Sequence, residues 1–335
     1  MKRHALAYLL TGAALIALAA VALAVGRFPV SLGELATLLG AKLSGSAHAL
    51  EPNIESVVFQ VRGPRVLAAL LVGAALAAAG SAYQGLFRNP LVSPDILGVS
   101  SGAALGAAAA MLLALGALAT QALAFAGGVM AVGAVVWIGA RLRGHDPLLA
   151  LVLTGVIIGT LLGAALALLK IAADPAGTLP AITFWLLGSL AAIAPRDLAL
   201  AAPLVLIGLV PMLLLRWRMN LLALPDDEAR ALGVDTRMLR AVVIVAATLM
   251  TAAAVALAGV IGWVGLLVPH AARLLVGPDF GRLLPLAMML GAAFLLAVDT
   301  LARTVVAVEL PPGVLTALVG TPFFLWLFAV SRRSW

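Results

Sequence analysis

The sequence has no cysteine and three lysines, Lys2, Lys42 and Lys170, among 335 residues. Without cysteine there is no disulfide, no thiolate metal site and no cysteine nucleophile. None of the lysines ends a G-x-x-x-x-G-K-[ST] run, so the chain has no P-loop of its own and cannot hydrolyse a nucleotide through one. The four histidines, His4, His48, His145 and His270, are scattered without metal-ligand spacing, and none is expected in the interior of an apolar run. No metal site and no cluster of catalytic His, Asp or Glu follows from them. Carboxylates deep inside apolar runs are also missing, the nearest case being Asp299, close to the end of its run. Carriers driven by protons or sodium usually need such groups. Energy must then come from another polypeptide, or the protein is a passive pore.

Charge itself is scarce, at 10% of residues against roughly 25% in soluble domains. Hydrophobic residues make up 64%, and the mean hydropathy is +1.17. The chain is therefore an integral membrane protein. Lipid offers no water to backbone groups, so only helices or closed barrels cross it, and these apolar runs far exceed the roughly 10-residue alternating strands of a barrel. Ten runs are long enough to be read as spans: 5–25, 66–86, 96–115, 117–140, 148–169, 198–215, 239–258, 260–276, 283–301 and 314–330. The first could compete as a signal peptide, but its apolar core is longer than the usual 7–15 residues. A shorter apolar segment, 179–194, is bounded by prolines and reads as a partial or re-entrant helix. The expected class is all-α and polytopic, with ten transmembrane helices plus that short one.

Ten spans put both termini on one side. Fourteen of the twenty-one basic residues then fall on the terminal side and seven on the other, which places the termini in the cytoplasm. The net charge of +7 is explained by this orientation, and nucleic-acid binding is not needed to account for it.

The longest charged interruption is Arg216–Arg240, RWRMNLLALPDDEARALGVDTRMLR. Pro225 followed by Asp226, Asp227 and Glu228 is helix-start chemistry, because proline has no N–H to lose in a first turn and carboxylates complement the positive helix end. Ala229, Arg230 and Leu232 continue that helix, Gly233 stops it, and Asp235 can cap the next one. The plain alternative is a solvated loop. Glycine recurs at every fourth position in two spans, Gly98-Gly102-Gly106 and Gly155-Gly159-Gly163, which predicts a smooth packing strip along each helix. Such a strip could also slide during a conformational cycle.

Five ordered motifs carry a resemblance: RGPRVLAALLVGAALAAAGSAYQGLFRNPLVSPDILGVSSGAALG (62–106), FWLLGSL (184–190), ALPDDEARALGV (223–234), GWVGLLVPHAARLLVG (262–277) and ELPPGVLTALVGTPFFLWL (309–327). They resemble the permease subunits of binding-protein-dependent ABC importers for iron–siderophores, haem and cobalamin. The likeness runs from about residue 62 to 330 and implies a single transmembrane permease domain over 1–335 in the bacterial cytoplasmic (inner) membrane. It further implies a homodimer or pseudo-dimer, two cytoplasmic ABC ATPase subunits that bind ATP and Mg, and an external binding protein that delivers the substrate. On that likeness, Ala223–Val234 docks into the ATPase and Arg62, Arg65 and Arg303 pair with carboxylates of the binding protein. Asn89 and Leu91, in the N-P-L loop, help close the path on the cytoplasmic side, while the opposing gate position falls near Asp146 and Pro147, where the usual small hydroxyl residues are missing. No cofactor is expected in this chain. An iron–siderophore is the first expectation for cargo, then haem, then cobalamin or an oxyanion such as molybdate. Outside this family, a secondary transporter without an ATPase partner is the competing reading.

Overall fold

Apolar runs that must satisfy their own backbone hydrogen bonds fold as helices. The computed structural model describes residues 2–26, 28–46, 50–142, 147–306 and 308–330, and among these it is 82% helical with no strand. Helix α1 (Lys2–Ala24) leads to α2 (Leu32–Ser44), which begins with a capping box. There the Ser31 N–H and then its hydroxyl donate to Glu34, which holds that carboxyl below its usual range. Next, α3 (Pro52–Ser56), a π-helical turn (Val57–Arg62) and α4 (Gly63–Leu86) form one 35-residue rod. They are followed by α5 (Val99–Leu112), α6 (Gly116–Gly139), α7 (Pro147–Ala172), the short α8 (Thr178–Leu186) and α9 (Pro195–Met219). The chain ends with α10 (Asp226–Ala231), α11 (Thr236–Ala258), α12 (Val264–Val276), α13 (Phe280–Thr304) and α14 (Pro312–Val330).

Seven helices are long and apolar enough to cross a membrane, and three shorter apolar ones, Val99–Leu112, Val264–Val276 and Pro312–Trp326, occupy the remaining expected runs. Two of the three start later than their sequence runs. A single 3-10 turn at Pro94–Leu97 and Gly98 in a left-handed conformation (φ 80°) delay α5 to Val99. Likewise Gly259 (φ 70°) and Trp263 (φ 69°) delay α12 to Val264. His270 sits mid-helix in α12 and is buried, contrary to the expectation that no histidine lies inside a span. His48 and His145 lie outside the described residues.

The core centres on α4 and α11, each 78% buried over its apolar window. Helix α4 is lined with alanine and glycine, and a Cβ at Gly73 or Gly80 would overlap the carbonyl of Gly291 in α13 or Gly265 in α12. Of the predicted glycine strips, Gly102 and Gly106 press on α6, where a Cβ would collide with the Gly127 or Leu123 carbonyl. Gly155 presses on Ile96, and Gly159 lies at an ordinary 3.8 Å from Ser101. Gly98 is outside the helix and Gly163 meets nothing within 4 Å, so neither strip runs its predicted length.

Candidate coupling and docking sites

The charged stretch folds as its local chemistry predicts. Pro225 is the N-cap of α10, whose first turn carries Asp226, Asp227 and Glu228. Gly233 turns the chain at φ 80° and donates its N–H to the Arg230 carbonyl. Asp235 then caps α11, its Oδ1 accepting from the N–H groups of Arg237 at 2.9 Å and Met238 at 3.1 Å. A contact not legible in sequence pins the two helices together: Arg240 reaches back to Asp226, with guanidinium-to-carboxylate distances of 3.1 and 2.5 Å. Ala229 is buried beneath, while Asp227, Glu228, Arg230, Leu232 and Gly233 present an exposed row.

Beside it lies the 87–93 loop. The Asn89 Oδ1 accepts the Leu91 N–H at 2.9 Å, an Asx turn that leaves Leu91 55% exposed. Arg88, held at φ 49°, extends away from this turn and donates Nε to the Leu222 carbonyl at 2.9 Å and Nη2 to the Leu224 carbonyl at 2.5 Å. Leu224 immediately precedes Pro225, so one side chain links the N-P-L loop to the start of α10. Two further bridges brace the same end. Asn220 accepts from the Phe280 N–H at 2.7 Å and donates to Asp279 at 2.8 Å, and Arg273 donates to Gln84 at 3.2 Å. Asp146 lies outside the described residues, whereas Pro147 begins α7.

Arg62, Arg65 and Arg303, the arginines expected to dock the binding protein, sit at the opposite end, and all three donate to groups of this chain. A π-helical turn ends at Arg62, three residues before Arg65. Arg62 donates to the carbonyls of Leu23 (2.6 Å), Ala24 (3.0 Å) and Phe28 (2.5 Å). Arg303 donates to the carbonyls of Val25 (2.6 Å) and Ala22. Together they satisfy the orphan carbonyls of the α1 C-terminus and complement its negative dipole end. Arg65 instead forms a buried pair with Asp299 at 2.9–3.0 Å and a second, half-exposed one with Glu309 at 3.1 Å. Among the described residues no group of three or more His, Asp or Glu could hold a metal ion.

The FecCD transport family matches residues 14–330. The chain belongs to that family. It is a permease of the ABC-importer type, multi-pass in the membrane. The molybdate import system permease MolB of Haemophilus influenzae is 41% identical over 96% of this chain and 94% of its own length. An iron chelatin transport system permease of Helicobacter pylori is 41% identical over 84% of both chains. A solved structure described as a metal-chelate-type ABC transporter in an inward-facing conformation superposes with a TM-score of 0.86 at 37% identity, covering 95% of this chain and 97% of that one. Sequence reasoning about this FecCD permease missed Arg88, Asn220 and Gln84, because their partners are 59 to 189 residues away.

Proposed function

We propose that this chain forms, as a homodimer, the membrane path of an importer that moves an iron chelate, first of all an iron–siderophore, into the cytoplasm. Two ABC ATPase subunits dock on the α10 row, Pro225–Gly233, and an external binding protein docks at the opposite end. Both termini face the cytoplasm, and ATP and Mg stay with the ATPase. The observation that carries this reading is the link through Arg88: it gives force applied at α10 a short, charged route to Asn89 and Leu91, the residues assigned to cytoplasmic closure. An apolar hollow of about 760 Å³ along α14, bordered by Trp263, Ala317, Thr321 and Leu325, is this chain's share of the wall of the path.

The two permease relatives above are named for different cargoes, molybdate and iron chelatin, at the same 41% identity, so selection of cargo is assigned to the binding protein. Haem and cobalamin remain the alternative cargoes. At the outer end, docking through Arg62 and Arg303 requires each guanidinium to exchange α1 carbonyls for a carboxylate, Arg303 doing so while its Nε stays 4.0 Å from Asp299, and charge-assisted bonds are roughly twice as strong as neutral ones. Arg65 already holds Asp299 and Glu309, so docking there adds a carboxylate to an existing pair.

The test is reconstitution with the ATPase and the binding protein, offering ferric siderophore, haemin, cobalamin and molybdate in parallel. Uptake of the ferric chelate alone is expected. Deleting Pro225–Leu232 should abolish it while the protein still inserts; normal uptake after the deletion would sink the coupling assignment.

A further inference from the structure

A groove of about 490 Å³ opens on the surface between α6 and α11, walled by Val129, Val132, Gly133, Val136, Ile244 and Leu249. Its floor is closed to water chemistry, since the Thr248 hydroxyl donates to the Ile244 carbonyl at 2.7 Å and faces the Tyr83 hydroxyl at 3.3 Å. Along α6 the groove runs from Val129 to Arg141, about 18 Å at 1.5 Å per residue. That is close to one leaflet of a hydrocarbon core roughly 30 Å thick. Over this length the groove is a narrow, open furrow lined almost wholly by apolar side chains. It fits a single hydrocarbon chain.

The end of the groove is not apolar. Arg141 is exposed, and its guanidinium carbon lies 3.8 Å over the ring of Trp137, itself 57% exposed. Among the described residues no carboxylate pairs with Arg141. A tryptophan with a stacked arginine at the end of a membrane helix is headgroup-level chemistry. This end faces the same side as α10, because Ile244 and Val245 follow the α11 N-terminus by little more than two turns. A Cβ built on Gly133 meets nothing within 4 Å, so the middle of the groove is an open notch.

We propose that the groove binds one anionic phospholipid, an acyl chain lying past Gly133 and the phosphate resting on the Arg141 guanidinium. The site depends on membrane embedding and not on which cargo the permease carries. Since α11 leads directly out of the charged loop, the lipid would lie against the helix that follows the ATPase-docking row.

The full chain, purified and titrated with phosphatidylglycerol or phosphatidylcholine, is read by native mass spectrometry. Wild type should retain phosphatidylglycerol in preference to phosphatidylcholine. Arg141→Gln should lower the apparent phosphatidylglycerol affinity about fivefold and erase the preference. Gly133→Leu should fill the notch and displace both lipids, with thermal unfolding unchanged. Arg196→Gln, at the opposite end of the molecule, should alter neither. Retention of the preference in Arg141→Gln would overturn the proposal, as would retention of lipid in Gly133→Leu. A change of particle size in Gly133→Leu would also overturn it, by showing that a second copy covers the groove. If Gly133→Leu does not fold, Arg141→Gln decides alone.

Discussion

The two ends of this permease use arginine in opposite ways. At the α10 end, arginines hold partners near the surface: Arg240 the half-buried Asp226, Arg230 the exposed Asp227 at 3.8 Å, and Arg88 two carbonyls brought to it by the tertiary fold. At the other end, Arg62 and Arg65 are buried and their donors are taken up by α1, Asp299 and Glu309. Exposed charge is inexpensive to rearrange, because water replaces the lost partner. Buried charge is not, since a guanidinium left alone in a low dielectric keeps its full desolvation cost. The α10 end can thus rearrange at little electrostatic cost, whereas the far end is held in place by its buried partners.

The strongest way to break this comparison is to remove a buried partner. Asp299→Ala should take from Arg65 its one fully buried carboxylate, leaving it the half-exposed Glu309, and cost up to about 3 kcal/mol of stability, read as a lower unfolding temperature in detergent. The double change Arg65→Met with Asp299→Leu should recover most of it. If Asp299→Ala is as stable as wild type, the far end is not a rigid clamp. Next in size is helix packing: Gly106→Leu overpacks the α5–α6 contact and should cost about 1–3 kcal/mol, whereas Gly163→Leu, with open space around it, should cost nothing in the single chain. At the α10 end, Arg88→Gln should leave folding and ATPase activity of the reconstituted complex in place but reduce uptake about tenfold, the loss expected from one charged hydrogen-bond link. A proportional fall in both activities would mean that Arg88 only supports the fold. Smallest is Arg62→Gln with Arg303→Gln, which keeps amide donors for the α1 carbonyls and removes only the charge, probed by binding-protein affinity at low and high salt. A loss that shrinks as the Debye length falls from about 10 Å to about 3 Å marks docking through charge, and a salt-independent loss marks damage to α1.

What the sequence reveals and what it hides follow one physical line. Gly233, Asp235 and the acidic turn after Pro225 act on their own neighbours, so their helix, turn and cap are readable directly. The ten apolar runs are readable because lipid imposes the same demand on each. Arg88, Asn220 and Gln84 find partners through the tertiary fold, which local spacing does not encode. The glycine strips were half legible: four-residue spacing located Gly102 and Gly106, but the closest approaches of α4, at Gly73 and Gly80, repeat at seven residues and escape a search for four. Helix starts slipped where turns intrude, as at Gly98 and Trp263.

The short length of α12 bears on how the chain is made. Thirteen residues reach only about 20 Å at 1.5 Å per residue, well short of a bilayer core of roughly 30 Å, and the helix carries both His270 and Arg273. Such a segment has little reason to leave the translocon for lipid on its own. It packs against α4 and α13, and α13 emerges from the ribosome after it. With α4 already made and α13 following directly, α12 is expected to settle between these two helices rather than to cross lipid as a lone span.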